Sequence, residues 1–529
     1  MYVIMDMGTT NTRLYMCVKD KVIDGVKGAF GASFGKKHGR QKLIERVNEL
    51  LCELICKLSV SKNDVKCIVG VGMAGSEIGL CDVPHISLPV DARTLAQSVQ
   101  EKKIDGIDVP LLFIPGVKKC EGDEILDMMR GEECEAIGVC SDLRSSDGTV
   151  LILPGTHNKI VSISAEGLIT DLCTTFSGEL LNSIISNTVL AGQVTHDFRI
   201  IESEVLKGAL YAKENGLNSA LFHIRVMAKN SIGSDKLSSF LYGAVIGEDI
   251  ALIKRIAGER RIYVSGRKTL REVYSLLIGE ERATELDDSV SSSAMVTGAI
   301  QIKRIYDRIS QREIVKKKIE GEKVIVIIRD PEKESLVEAV QALYDGGIRL
   351  AEVTFDRSGK RTIEESAGLI KILVEGFADM CIGAGTVTQV REVYAAFEAG
   401  ASYIISPNCD PDIIALTKKL GMVSMPAAYT ASEIATAMNS GADYVKLFPA
   451  GEVSREYVKA VCAPISDAKL FAVGGVNIDN AGEFLKMGFC GIGVGSNLYD
   501  KELIEAKKFD ALRALAERYS SLARENDGE

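Results

Sequence analysis

The chain has 529 residues, of which 46% are hydrophobic and 26% charged, and carries a formal net charge of −10. That length holds roughly three or four domains of ~150 residues with ample core, and the acidic balance argues against a nucleic acid or an anionic membrane as the main partner. Thirteen cysteines lie scattered, the nearest spacing being Cys52 and Cys56 with no second pair to complete a zinc site; there is no basic leader, and no apolar run reaches the ~20 residues of a membrane span, so a cytoplasmic protein with free thiols is expected.

In chain order, Tyr2–Asp6 reads as a strand, Gly8-Thr9-Thr10-Asn11-Thr12-Arg13 as a polar turn, and two more strands follow, joined near Lys19–Lys21. The pattern recurs from Thr149, where the strand Thr149–Leu153 runs into Pro154-Gly155-Thr156-His157-Asn158-Lys159 and then into strands around 160–164 and 168–173. Two copies of strand, Gly-Thr-x-Asn turn, strand and strand predict a duplicated α/β unit whose turns face one another across a cleft. Such turns free backbone N–H groups and hydroxyls for phosphate oxygens, and Asp6 at a strand end is placed to hold Mg²⁺ through water.

Asp6-Met-Gly-Thr-Thr-Asn-Thr-Arg13, Gly72-Met-Ala-Gly-Ser76, Ile114-Pro-Gly116, Met129-Arg-Gly-Glu-Glu133, Leu153-Pro-Gly-Thr-His-Asn-Lys159 and Ser177-Gly-Glu-Leu180, taken together, resemble the motif series of 2-dehydro-3-deoxygalactonokinases over residues 1–305. The resemblance implies an actin/hexokinase-like two-lobed fold with ATP and Mg²⁺ in the cleft, Asp6, Gly8, Thr9, Thr10, Asn11, Gly155 and Thr156 forming the two phosphate loops and Ser265 and Gly266 lying at the nucleotide end. Where the family often carries Trp, Met7 stands here. The acid that deprotonates the acceptor hydroxyl is left among Glu132, Glu133, Asp171 and Glu179, with Glu132 and Asp171 favoured. Any of these could equally be a solvated acid, and His157 could orient substrate or be structural.

Residues 306–321 are strongly charged, with a residual apolar spacing at Ile305, Ile309 and Ile314, and are read as a charged helical linker. From Glu322 to the end at 529 the period changes. Short apolar strands recur at 324–328, 350–355, 380–387, 403–406, 422–427, 444–448, 470–474 and 491–495, with helical patterns between them, which predicts a (β/α)₈ TIM barrel. The strand ends, which converge on one face in such a barrel, carry Arg329, Glu352, Thr354, Gly383–Val387, Ser406-Pro407, Lys446, Gly474-Gly475 and Gly495-Ser496. Lys446 interrupts the apolar run Tyr444–Phe448: buried, it would lose its charge readily and suit Schiff-base chemistry; at a strand end it could instead snorkel. No histidine follows His223, so a general acid or base in this half must be a carboxylate, tyrosine or lysine, and Glu352 is the best placed.

Ala351-Glu-Val-Thr354, Gly383-Ala-Gly-Thr-Val387, Ile405-Ser-Pro407, Val445-Lys-Leu-Phe-Pro-Ala450, Ala472-Val-Gly-Gly475 and Val494-Gly-Ser496 resemble the 2-keto-3-deoxy-6-phosphogluconate, 2-keto-3-deoxy-6-phosphogalactonate and 4-hydroxy-2-oxoglutarate class I aldolases. The resemblance implies a Schiff base on Lys446 in place of a cofactor, proton shuttling by Glu352, carboxylate binding by Thr386, and phosphate binding by Gly475 and Ser496, with Pro407, Phe448, Gly474 and Gly495 around them. It also implies a homo-oligomer, a trimer through the barrel. Many members have arginine where Asp356 stands, so the carboxylate falls to Arg357 or Arg329. The two resemblances name consecutive steps: phosphorylation of a 2-dehydro-3-deoxy-galactonate or -gluconate, then cleavage to pyruvate and glyceraldehyde 3-phosphate. The rival reading is an aldolase half acting on unphosphorylated 4-hydroxy-2-oxoglutarate.

Overall fold

A computed structural model describes residues 1–140, 143, 147–465 and 467–525, and the chain falls into two compact units, Met1–Tyr306 and Asp307–Glu529. In the first unit, Tyr2–Met7 pairs antiparallel with Thr12–Val18, which pairs with Lys21–Gly28. Lys19 and Asp20 at that hairpin both take positive φ (47° and 61°), the left-handed pair that matches a tight turn to the sheet's twist. Ile68–Gly72 and Ile107–Phe113 extend the sheet parallel on the other side. Helix Arg40–Leu58 presents Leu43, Val47, Leu50, Leu51 and Leu54 at helical spacing and buries them in this lobe's core.

The same order recurs in the second sheet. Thr149–Leu153 is flanked by Asn158–Ile163 and Ile169–Thr175 on one side and by the parallel strands Arg261–Val264 and Ala283–Glu285 on the other. Helix Ser234–Ala257 is buried without interruption from Leu237 to Ile246, which makes it the internal helix of this lobe. A duplicated meander with parallel additions is the two-lobed actin/hexokinase-like fold.

The second unit is a parallel barrel in which the last strand, Gly491–Val494, pairs with the first, Val324–Ile328. Its fifth stave is broken at Pro426, which has no N–H to give the ladder: Val423–Met425 pairs with Tyr403–Ile405, and Ala427–Ala428 with Val445–Leu447. Eight staves therefore close. Alternation sorts the first strand by face, Ile325 and Ile327 filling the barrel while Val324, Val326 and Ile328 pack under the helices.

Residues 306–321, expected as a linker, continue a single helix, Asp288–Glu322. Ile314, expected on its apolar stripe, is 58% exposed, whereas Val315 and Ile319 are buried in the cluster that fills the barrel. The hydroxyl of Tyr444 donates to Glu320 Oε1 (3.0 Å) and to the Lys316 carbonyl (3.3 Å) at the same end. A lysine-rich segment thus covers one mouth of the barrel with two aliphatic side chains one turn apart. Among the described residues no helix is long and apolar enough to cross a membrane.

Candidate active sites

The opposite mouth of the barrel opens a cavity of about 740 Å³. Of the residues singled out in this half by the sequence, Lys446, Glu352, Arg329, Thr354, Thr386, Pro407 and Phe448 line it, together with Gly474, Gly475, Gly495 and Ser496, whereas Gly383, Gly385 and Ser406 are not among its lining residues. Lys446 is 8% and Glu352 2% exposed, because each sits inside a strand whose neighbours are apolar. Lys446 is therefore the buried lysine of the two readings. Burial holds its pKa below the usual lysine value, Glu352 opposing and Arg329 adding to the shift. Burial pushes the Glu352 carboxyl up to about 7, with Lys446 and then Arg329 pulling the other way. Glu352 Oε2 has no hydrogen-bond partner. It has room because residue 385 is glycine: a Cβ there would lie 2.7 Å from the carboxyl carbon. An unpartnered carboxyl poised near neutrality beside a buried amine can take a proton from a bound molecule and return it.

The Lys446 ammonium lies 4.8 Å from the centroid of the Phe448 ring, and that ring packs where a Cβ on Gly474 would fall. Thr386 adopts φ +57°, a strained conformation for a β-branched residue, at the cavity wall. Arg357 is tied down: its guanidinium forks onto the buried carboxylate of Glu392 (2.8 and 2.7 Å) and also donates to the Thr386 carbonyl. Asp356 is held well below the usual carboxylate range by hydrogen bonds from Ser358 Oγ, Ser358 N–H and the Arg361 N–H, so it organises its own loop. The sequence did not point to Lys360, Arg361, Asn497, Tyr499 and Lys501, which also line the cavity. Arg361 and Lys501 meet at Asp330 (3.0 and 3.5 Å).

In the first unit, Asp6, last but one in the strand Tyr2–Met7, lies beside Arg13 (2.9 Å), and burial raises its pKa despite that partner. Thr9 and Thr10 are exposed on the turn, and Asn11 closes it by accepting from the Gly8 N–H (2.8 Å). The second turn exposes Gly155 and Thr156, its Gly155 N–H donating to Asn158 Oδ1 (3.1 Å). Gly266, at φ +93°, packs against Pro154 of that turn. Ser265 next to it is 1% exposed with its hydroxyl unpartnered, so only backbone at this corner is open to a ligand.

The helix beginning at Glu132 brings three acids to this lobe. Glu132 accepts from the Arg130 N–H (3.0 Å), and its pKa is raised by burial while Lys159 and His157, on the second turn and its strand, act on it. Glu135 is pushed up to about 8 by burial, then by Glu132 and Asp6. Glu132 is thus electrostatically coupled to the second turn, and Glu135 to both Glu132 and Asp6. The other candidates lie in pairs: Asp171 with Lys119 (2.7 Å) and Glu179 with His157 (2.9 Å). Glu133 is fully buried, and both its oxygens accept from the Gly131 N–H.

Residues 6–302 match the family described as 2-keto-3-deoxy-galactonokinase, and residues 315–515 match the KDPG and KHG aldolases. The chain is 33% identical over 178 residues to the 2-dehydro-3-deoxy-6-phosphogalactonate aldolase of Escherichia coli K12, covering 33% of this chain and 84% of that one. It is 30% identical over 204 residues to the 2-dehydro-3-deoxy-phosphogluconate aldolase of Treponema pallidum, covering 38% and 93%. The chain belongs to both families. A Sinorhizobium meliloti crystal structure, provisionally titled a 2-dehydro-3-deoxygalactonokinase, is 22% identical with a TM-score of 0.48 and covers 57% of this chain and 98% of its own. As a member of the galactonokinase and KDPG/KHG aldolase families, the chain is a kinase and a carbon–carbon lyase in one polypeptide.

Proposed function

We propose that the kinase half phosphorylates the 6-hydroxyl of 2-dehydro-3-deoxy-galactonate and that the aldolase half cleaves the 6-phosphate to pyruvate and glyceraldehyde 3-phosphate. The observation that carries this reading is the charge of the barrel cavity. Six basic residues, Arg329, Arg357, Lys360, Arg361, Lys446 and Lys501, line it against three acidic ones, Asp330, Glu352 and Asp356. A carboxylate plus a phosphate brings about three negative charges and matches that excess, whereas 4-hydroxy-2-oxoglutarate has no phosphate to offer. The galactonate configuration follows the kinase family and the E. coli relative.

In the barrel, Lys446 Nζ bonds to C2 of the substrate, and the C2 oxygen leaves as water to give an iminium. The C3–C4 bonding electrons then flow into the iminium as Glu352 takes the C4 hydroxyl proton, and glyceraldehyde 3-phosphate departs. Glu352 returns the proton to C3, and water releases pyruvate and the free amine. Since Arg357 is committed to Glu392, Arg329 takes the substrate carboxylate with Thr386, while Gly474, Gly475, Gly495 and Ser496 hold the phosphate and Pro407 and Phe448 wall the reacting carbons.

In the kinase half, the exposed turns at Gly8–Asn11 and Gly155–Thr156 hold the ATP phosphates, the Gly266 backbone meets the nucleoside, and Glu132 accepts the 6-hydroxyl proton. The donor set fits hydrated Mg²⁺: among the described residues no group of three or more His, Cys, Asp or Glu could cage an ion, and Asp6 keeps one oxygen free of Arg13 for a metal-bound water. When bound, Mg²⁺ neutralises phosphate charge as the phosphoryl group transfers. The barrel is proposed to form homotrimers; Val390 and Tyr394, one turn apart and 48% and 46% exposed, give its helix Val390–Glu398 an apolar face for this.

The test couples pyruvate release to NADH oxidation with the purified chain. ATP-dependent pyruvate from the galacto epimer, several-fold faster than from the gluco epimer, is expected. Faster cleavage of 4-hydroxy-2-oxoglutarate than of the 6-phosphate would overturn the reading.

A further inference from the structure

Beneath the second turn of the kinase half lies a buried carboxylate that the phosphoryl-transfer scheme does not use. Asp249, on the internal helix Ser234–Ala257, is 6% exposed and, among the described residues, accepts from neutral donors: Ser177 Oγ (2.8 Å), Tyr274 Oη (2.9 Å), Thr175 Oγ1 (3.0 Å) and, at longer range, Asn158 Nδ2 (3.4 Å). Asn158, 2% exposed, donates to Tyr274 Oη (2.7 Å) and turns its own oxygen outward to accept the Gly155 N–H (3.1 Å). Ser177 begins the helix Ser177–Asn187, and a Cβ on the next residue, Gly178, would fall 1.8 Å from the Gly155 carbonyl oxygen and 2.7 Å from that of Thr156. One carboxylate therefore fastens the turn from below through Asn158 and fastens the helix start that closes on the turn from above.

We propose that Asp249 is the positioning residue of the second phosphate turn, fixing Gly155 and Thr156 for the nucleotide phosphates. A buried carboxylate holds the donors on its two oxygens in place, because losing one leaves a desolvated oxygen less satisfied. Asparagine at 249 aims its N–H₂ either at the donors on Oδ2, Asn158, Tyr274 and Thr175, where the contact opens, or at Ser177 Oγ, whose hydroxyl must then accept instead of donate. In both orientations bonds to a carboxylate become weaker bonds to a neutral amide, which loosens the hold on the turn without changing volume. The phosphate itself never touches Asp249, so the effect falls on nucleotide binding rather than on the sugar acid.

This inference rests on the reading of Gly155–Thr156 as a phosphate loop, and the variants separate the two. Gly155→Ala tests the reading: a Cβ there meets nothing nearer than 3.6 Å, so the fold tolerates it and any loss lies on the ligand side. Asp249→Asn and Asn158→Ala test the inference, and Thr175→Val, which removes one donor from the same carboxylate without touching the turn, reports a merely structural role. Each full-length variant is assayed for KM of ATP, KM of the sugar acid, and cleavage of pre-phosphorylated substrate as an internal check on the chain. The expected result is a tenfold or larger rise in the ATP KM for Gly155→Ala, Asp249→Asn and Asn158→Ala, a sugar-acid KM within about twofold, and a near-unchanged ATP KM for Thr175→Val. A raised ATP KM in Gly155→Ala alone overturns the inference and leaves the reading standing. No rise in any variant removes both. Parallel rises in both KM values for Asp249→Asn and Thr175→Val would mean that Asp249 only supports the lobe.

Discussion

Lys446 and Glu352 are each improbable inside an apolar strand taken singly, and each is explained by the other. Burying an amine favours its neutral, nucleophilic form, and burying a carboxyl favours its protonated form, so mutual attraction keeps both within reach of neutrality. The sign for activity follows. In the proposed mechanism Lys446 must lose its proton to attack C2, and Glu352 must lose its own to accept from the C4 hydroxyl, so acid suppresses both steps. The log of kcat/KM for cleavage should therefore climb with pH from the acid side and show a break near 7 where Glu352 ionises. Glu352→Gln should lower the rate by about 10²–10⁴-fold and erase the break near 7; a profile in which the break survives the substitution would assign it to another group. Borohydride added with pyruvate should fix the adduct on the peptide carrying Lys446, and an unmodified peptide there would rule out the iminium.

At the scale of elements, the helix Glu132–Val139 shows burial overriding the helix terminus. Acids in a first turn are ordinarily stabilised as anions by the N-terminal N–H groups. Here burial wins at Glu133, which is pushed up to about 8, with Glu132 the next contribution and the Gly131 N–H bonds opposing. A carboxyl whose folded value lies above its unfolded value near 4.3 binds a proton that the unfolded chain releases. Its contribution is full below about 4 and is lost as pH rises toward 8. Glu133→Gln, which stays neutral, should therefore match the parent near pH 4 and melt a few degrees higher than the parent at pH 8, measured on the kinase transition; equal melting at both values would contradict a protonated Glu133.

The Met129–Glu133 motif was legible from the sequence, but not which of its acids would be buried. The eight barrel strands and their site residues were legible because a charged or glycine residue inside an apolar run stands out against period two. Asp249 was not, because the pair Glu248-Asp249 reads as a solvent face until the helix is packed on all sides and only Glu248 remains exposed. Val315 and Ile319 were masked by the lysines around them; Lys360 and Arg361 lie in a loop and Lys501 begins the helix Lys501–Glu505, and their meeting at Asp330 depends on barrel closure rather than on any local period.

At the scale of the whole molecule, each unit has its own hydrophobic core and its own set of functional groups. The proposed phosphate loops and Glu132 fall entirely in Met1–Tyr306, and Lys446, Glu352 and the full lining of the cavity fall in Asp307–Glu529. No side chain of either set is shared, so a lesion in one should leave the other chemistry intact. Asp6→Ala removes the carboxylate proposed to act at the metal and frees Arg13 from its partner; it should abolish ATP-dependent phosphorylation while cleavage of the pre-phosphorylated substrate stays within about twofold. Lys446→Met keeps an apolar stem of similar reach without the amine; it should leave phosphorylation intact and accumulate the 6-phosphate with no pyruvate. Because the product of the first reaction is a small, strongly anionic molecule, it can leave one chain and enter another. A mixture of the two variants should thus convert sugar acid and ATP to pyruvate after a lag while the phosphate builds up. Loss of both activities in Asp6→Ala would show that the halves do not function separately, and a mixture that accumulates phosphate yet makes no pyruvate would show that the barrel accepts its substrate only from its own chain.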